Sequence, residues 1–148
     1  MVESWEIEDV DGVVPLPGAV ELLASLPGDL WTIVTSCTRD LAAARFRAAG
    51  LKVPQSIVTA TDIVRGKPDP EPYLKGAALL GLSASRCLVF EDVTAGIQSG
   101  HAAGARVVGL ATTLSREALL SAGADWILAS CAEVCVAGRN PLTLAFLS

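Results

Sequence analysis

The chain is short of charge and nearly without histidine. Of its 148 residues only 18% are Asp, Glu, Lys or Arg, against about 25% in ordinary soluble domains. Apolar types make up 51%, so an intrinsically disordered chain, which needs high charge and few apolar side chains, is excluded. Eleven basic residues face 16 acidic ones, for a net charge of -5, and no Lys/Arg cluster occurs. With nothing to neutralise a polyanionic backbone or an anionic bilayer, nucleic acid and membrane surfaces are not expected partners. No apolar run approaches the roughly 18–20 residues that span a bilayer, and residues 1–11 are acidic rather than basic and then apolar, so no spanning helix or export signal is expected. Cys37, Cys87, Cys131 and Cys135 contain no Cys-x-x-Cys pair, and His101 is the single histidine. An ordinary zinc site is therefore excluded unless carboxylates join it. Reduced, structural thiols in a cytoplasmic protein are the expectation.

What is present is an alternation of helical patterns with short apolar runs from Pro17 onward, the signature of an α/β domain with a parallel sheet covered by helices. Helices are predicted over residues 18–26, 38–49, 70–80, 94–104 and 115–122, from apolar spacing, capping residues and closing glycines. In the first, Val20, Leu22, Leu23 and Leu26 are expected to face inward. Strands are predicted over residues 30–35, 56–59, 87–90, 106–110 and 125–128. Gly96, Gly100 and Gly104 recur every four residues and suggest a helix face that packs closely on the sheet. Residues 1–16 read as a linker-like segment, 17–139 as the core domain, and 140–148 as an apolar tail without assigned structure. No internal repeat is found.

Ligands of parallel sheets sit at the carboxyl ends of the strands, and the residues there are polar in an orderly way. The first strand is followed by Thr35-Ser36-Cys37-Thr38, the loop after the second carries Gly66-Lys67-Pro68-Asp69, and the third ends in Glu91-Asp92. A hydroxyl, backbone N–H groups at a helix start and a lysine make a site for a tetrahedral anion such as phosphate. Adjacent carboxylates would repel that anion unless a hard divalent cation, magnesium, bridges them. Each piece alone has a plainer reading: Ser36 as a helix cap, Lys67 as a solvated loop residue, Glu91-Asp92 as favourable charge at the next helix start. Lys67 is not a P-loop lysine, because Thr61 occupies the position of that motif's first glycine.

Taken in order, segments 34–38, 66–73 (Gly-Lys-Pro-Asp-Pro-Glu-Pro-Tyr) and 89–97 (Val-Phe-Glu-Asp-Val-Thr-Ala-Gly-Ile) resemble motifs II, III and IV of the haloacid dehalogenase superfamily. They are most similar to its sugar phosphatase and phosphoglucomutase-like branch, over about residues 13–136. The resemblance implies a Rossmann-like three-layer core and magnesium-dependent phosphoryl transfer through an aspartyl-phosphate. It implies that Ser36 and the Cys37 backbone hold the phosphoryl group, that Lys67 neutralises charge, and that Asp92 with Glu91 binds Mg2+. The expected substrate is a small phosphorylated metabolite such as a sugar or polyol phosphate. A metaphosphate-like transition state needs positioning and charge neutralisation above all, which these residue types supply.

In that family the first motif is Asp-x-Asp-Gly-Thr or Val at the end of a buried strand, and its first Asp is the nucleophile. Asp9-Val10-Asp11-Gly12-Val13 matches the letters, but residues 2–8 alternate polar with apolar and carry three glutamates, unlike a central parallel strand. Residues 11–18 resemble instead the stretch that returns from the family's cap domain to its core. The expectation is a core lacking its first central strand and cap, impaired on its own, with a partner chain as one source of the missing strand. The alternatives are a non-catalytic phosphate-binding or interaction module, and a cap-less phosphatase that uses Asp9 as nucleophile and Asp11 as general acid.

Overall fold

Two adjacent residues that are both inaccessible mark a strand covered on both faces, and Val107 and Val108 meet that condition, each at 0% exposure. They lie on β2, the middle strand of a parallel sheet in a computed structural model that describes residues 10–147. In chain order the elements are α1 (Ala19–Ser25), α2 (Arg39–Ala48), α3 (Glu71–Leu79), β1 (Leu88–Glu91), α4 (Thr94–Ala102), β2 (Arg106–Leu110), α5 (Arg116–Ser121), β3 (Trp126–Leu128), β4 (Val134–Arg139) and β5 (Leu142–Phe146). Short 3-10 turns occupy Ala60–Asp62, Ala84–Arg86 and Cys131–Glu133. The sheet order is β1-β2-β3, with Val89 opposite Val107 and Gly109 opposite Ile127.

The period-two alternation of β2 divides the core. Val107, with Val89, packs with Tyr73 of α3, Ile97 of α4 and Leu119 of α5 on one face. Val108 and Leu110 pack with Leu22 of α1, Leu128 and Val134 on the other. This is the expected three-layer α/β architecture. Small residues set the spacing on the first face: a Cβ on Gly100 would come within 2.8 Å of Val107 Cγ2, and one on Gly76 within 2.7 Å of Val34 Cγ2. Gly104 does not belong to that close-packed face. It lies past the end of α4 at φ +89 with nothing near it, the left-handed position that ends a helix.

Several expectations are corrected. Residues 30–35 and 56–59 do not form regular strands; they meet in one parallel bridge, Val34 to Val58, in which Thr35 N–H donates to Val58 O and Val58 N–H to Ile33 O, each at 2.9 Å. A pair with no second neighbour does not extend into a stable ladder. Among the described residues no backbone hydrogen bond joins residues 31–35 to β1. Among the described residues a cleft of about 880 Å³ lies there, lined by Ile33, Val34, Leu88, Phe90, Leu22 and Phe146 among others. Val20 of α1 is 42% exposed rather than inward. The segment from residue 140 is no tail: β5 pairs antiparallel with β4, and Trp126 meets Phe146 edge to face at 5.7 Å. This hairpin closes the second face of the sheet. The four cysteines are free thiols. No helix among the described residues is long and apolar enough to cross a membrane.

Candidate active site

Lys67 rides on a loop that carboxyl groups tie down from inside. Glu71 accepts the N–H groups of Val64 and Arg65, each at 2.9 Å, and pairs with Lys75 at 2.9 Å. Asp69 Oδ1 accepts the N–H of Glu71 at 2.9 Å, and Ser99 Oγ, on α4, donates to Asp69 O at 2.6 Å. Asp62 closes the other end, accepting from Thr59 N–H and Oγ1 and from Arg39. The Val64 amide, the Lys75 amine and the Arg65 amide hold the Glu71 carboxyl down at about 2. The Thr59 hydroxyl and amide, with Arg39, hold Asp62 at about 2 as well. Both folded values lie below the ordinary 4.5 and 3.8. The stabilisation is therefore fully present above those ordinary values and is lost as pH falls towards about 2. Amide protection in residues 62–71, taken relative to the intrinsic exchange rate at each pH, is expected to fall on acidification through that window, and Glu71→Gln to reproduce the fall at neutral pH. Protection in that loop that does not respond to either would show that these carboxyl groups do not hold it.

Held this way, the Lys67 side chain runs inward and is 12% exposed. Its Nζ donates to Val34 O at 3.3 Å and to Oε1 of Glu91. The Tyr73 hydroxyl donates to the same Oε1, and Lys67 Nζ lies 4.9 Å from the centre of the Tyr73 ring. The other oxygen of Glu91 accepts the Asp92 N–H at 3.2 Å. Glu91 ends β1 and is 7% exposed. Gly96 makes the room, since a Cβ there would overlap the Glu91 carboxyl group. Asp92, one residue on, faces away from Glu91's pocket and accepts a hydrogen bond from Thr113 Oγ1, beyond the end of β2.

Lys67 thus joins the end of the 30–35 segment to the end of β1. Ser36 is exposed two residues past Val34, in the bend before α2. Cys37 N–H donates to Thr35 Oγ1 at 3.1 Å, Arg45 donates to Cys37 Sγ at 3.4 Å, and Thr38 caps α2 by accepting from Leu41 N–H at 3.5 Å. Asp11 sits exposed in a turn, and Asp9 lies outside the described residues. His101 is structural, its Nε2 2.6 Å from Gly123 O. Sequence reasoning missed Tyr73 and Thr113. Tyr73 closes the third motif but reads as core from its helical position, and Thr113 follows an apolar run with nothing to distinguish it from a loop hydroxyl.

The model of haloacid dehalogenase-like hydrolases matches residues 3–104. The chain belongs to that family. It is 41% identical over 140 residues to glycerol-1-phosphate phosphohydrolase 2 of Saccharomyces cerevisiae, covering 88% of this chain and 56% of that protein. It is 47% identical over 109 residues to hexitol phosphatase A of Escherichia coli, covering 72% of this chain and 50% of that one. Among solved structures, a hydrolase from Pseudomonas syringae superposes with a TM-score of 0.74 at 33% identity, over 80% of this chain and 58% of that chain. A haloacid dehalogenase family hydrolase from Deinococcus radiodurans, solved with bound phosphate and sodium, gives 0.71 at 32% identity, over 80% and 56%. This haloacid dehalogenase-like chain spans about half the length of the curated relatives it matches.

The fit of a magnesium ion to these residues is partial. No group of three or more His, Cys, Asp or Glu side chains lies together among the described residues. Both oxygens of Glu91 are occupied by Lys67, Tyr73 and the Asp92 amide, whereas Asp92 presents a hard oxygen donor at the strand ends with one hydroxyl partner. One or two carboxylates completed by phosphate oxygens and water is the usual magnesium environment.

Proposed function

We propose that this chain is the phosphate-handling core of a phosphatase that hydrolyses phosphate monoesters of small sugars or polyols. The observation that carries the reading is Lys67, whose amine meets the Val34 carbonyl and Glu91 at once and so stands between the Ser36 bend and Asp92. Ser36 Oγ, the Cys37 N–H and the Lys67 amine take the phosphoryl group; the Thr35 hydroxyl that now receives the Cys37 N–H is the acceptor an anion would share or replace. Asp92 would hold magnesium, while Glu91 stays bound to Lys67 and Tyr73; the ion when bound would supply the positive charge that lets a carboxylate and a phosphate lie together. The relatives' printed activities, on glycerol 1-phosphate and on hexitol phosphates, support the substrate class.

The cleft between residues 31–34 and β1 favours a further feature: a strand from a second polypeptide seats there and brings the nucleophilic aspartate. The test is hydrolysis of p-nitrophenyl phosphate and glycerol phosphate with magnesium, by the chain alone and with a synthetic peptide of four apolar residues followed by Asp-x-Asp-Gly. Turnover only with the peptide, abolished by Asp92→Asn in the chain, is the expected result. Activity of the chain alone that Asp9→Asn removes would assign the nucleophile to Asp9 and overturn the second-strand feature. No turnover in either case, together with no binding of inorganic phosphate, would overturn the phosphatase reading itself.

A further inference from the structure

We propose that Tyr73 is a positioning residue, which fixes where the Lys67 amine stands by holding the Glu91 carboxyl group that the amine is bound to. The proposal rests on the reading of Lys67 as the phosphate-facing amine. Three donors converge on Glu91: the Tyr73 hydroxyl and the Lys67 amine on Oε1, and the Asp92 N–H on Oε2. A carboxylate carries only acceptors, so each donor removes one way for it to turn. With its Oε2 tied to the backbone and its flank pressed by Gly96, Glu91 has its last freedom on the side where Tyr73 stands.

The phenol suits this task better than another donor would. Tyr73 is 8% exposed within the core cluster that also holds Val89 and Ile97, so its ring cannot leave. A phenol keeps its proton throughout the physiological range, so the hydroxyl is a standing donor to Glu91. Its ring also lies beneath the amine at 4.9 Å, adding attraction between the cation and the ring face. Hydroxyl and ring thus act on the same lysine, one through Glu91 and one directly. Tyr73 touches no reacting atom; its effect is exerted on the position of Lys67.

Tyr73→Phe separates this role from packing, because it keeps the ring and deletes the hydroxyl. The readout is acylation of lysines in the folded protein by acetic anhydride, followed by peptide mass spectrometry. An amine reacts with that reagent only when neutral and free of its partner, so a pinned, paired lysine is slow. Exposed Lys52 serves as the internal reference. In Tyr73→Phe the Lys67 to Lys52 rate ratio is expected to rise on the order of tenfold, the size of a lost hydrogen bond to a charged group. Val89→Ala, in the same core cluster, loosens packing without touching Glu91 and is expected to leave the ratio unchanged. An unchanged ratio in Tyr73→Phe, or an equal rise in Val89→Ala, would overturn the proposal. The ratio needs neither substrate nor turnover, so failure of the phosphatase reading would show separately, in the hydrolysis and phosphate-binding measurements.

Discussion

Lys67→Met is expected to destabilise the fold by roughly 3–5 kcal/mol, the largest loss of any single change at the site. Methionine keeps the apolar stem of the lysine and removes the amine. Glu91, 7% exposed, is then left with the Tyr73 hydroxyl and one backbone N–H for a carboxylate whose ion pair is gone. The reverse change, Glu91→Gln, should cost less, about 2–3 kcal/mol: it leaves the Lys67 ammonium without its counter-charge and the Asp92 N–H facing an NH2 group, but the amide oxygen still accepts both side-chain donors and Lys67 keeps the Val34 carbonyl. Combining Lys67→Met with Glu91→Gln should recover part of the first loss, since the uncompensated charge disappears, and the two effects should therefore be strongly non-additive. Urea unfolding of the four proteins gives the coupling directly. Additive losses, or a Lys67→Met protein within 1 kcal/mol of the parent, would mean that the pair is solvated and does not fix the site. On the proposed reading, in which the amine is the main counter-charge of a bound phosphate, the same variant should lose binding of inorganic phosphate.

How far the sequence led is visible at particular residues. Strand β2 occupies the predicted residues 106–110 because an apolar run buried on both faces is unambiguous in a chain of this class. Thr38 and Ser115 cap their helices at the starts of predicted segments 38–49 and 115–122, Ser115 accepting from Ala118 N–H at 3.2 Å. Residues 142–146 were legible in principle: Leu142, Leu144 and Phe146 alternate with Thr143 and Ala145, a strand period. Their partner β4 runs antiparallel, however, and a parallel α/β pattern gives no reason to expect a closing hairpin. Residues 30–35 fail for the opposite reason. Their composition favours a strand, but strand formation depends on neighbours, and a run of apolar letters does not say whether a second strand lies alongside.

At the site the residue types could be read but not their orientations. Lys67, Glu91 and Asp92 stood out by charge at strand ends, and adjacency suggested one shared cation. Successive residues of an extended segment point to opposite sides, so Glu91 turns into the core towards Lys67 while Asp92 turns out towards Thr113. Neighbouring carboxyl groups in sequence thereby take two different tasks, one electrostatic and structural, the other open to a ligand. The family is shown by the match over residues 3–104; the division of labour between the two acids is read from the pleat of β1.

Gly96→Ala is expected to cost about 2–3 kcal/mol and to weaken phosphate binding along with stability. In a helix interior alanine is worth up to about 1 kcal/mol more than glycine, so a loss of this size requires a steric term that outweighs the propensity gain. That term is present, because the new Cβ would overlap the carboxyl carbon and both oxygens of Glu91. The carboxyl group cannot step aside without giving up Lys67, Tyr73 or the Asp92 amide, and α4 cannot lift without uncovering Ile97, which is 0% exposed. Gly100→Ala on the same helix is the informative comparison. Its Cβ would meet a valine methyl at 2.8 Å, a contact that moves packing and leaves Glu91 alone. It should therefore lose stability with phosphate affinity intact, while Gly28→Ala, with nothing within 4 Å of the added atom, should stay within about 0.5 kcal/mol of the parent. Thermal unfolding and phosphate titration of the three variants separate a helix that merely packs from a helix that sets the position of a carboxyl group. Equal phosphate affinity in Gly96→Ala and Gly100→Ala would show that Glu91 tolerates displacement and that its contacts with Lys67 and Tyr73 do not define the site.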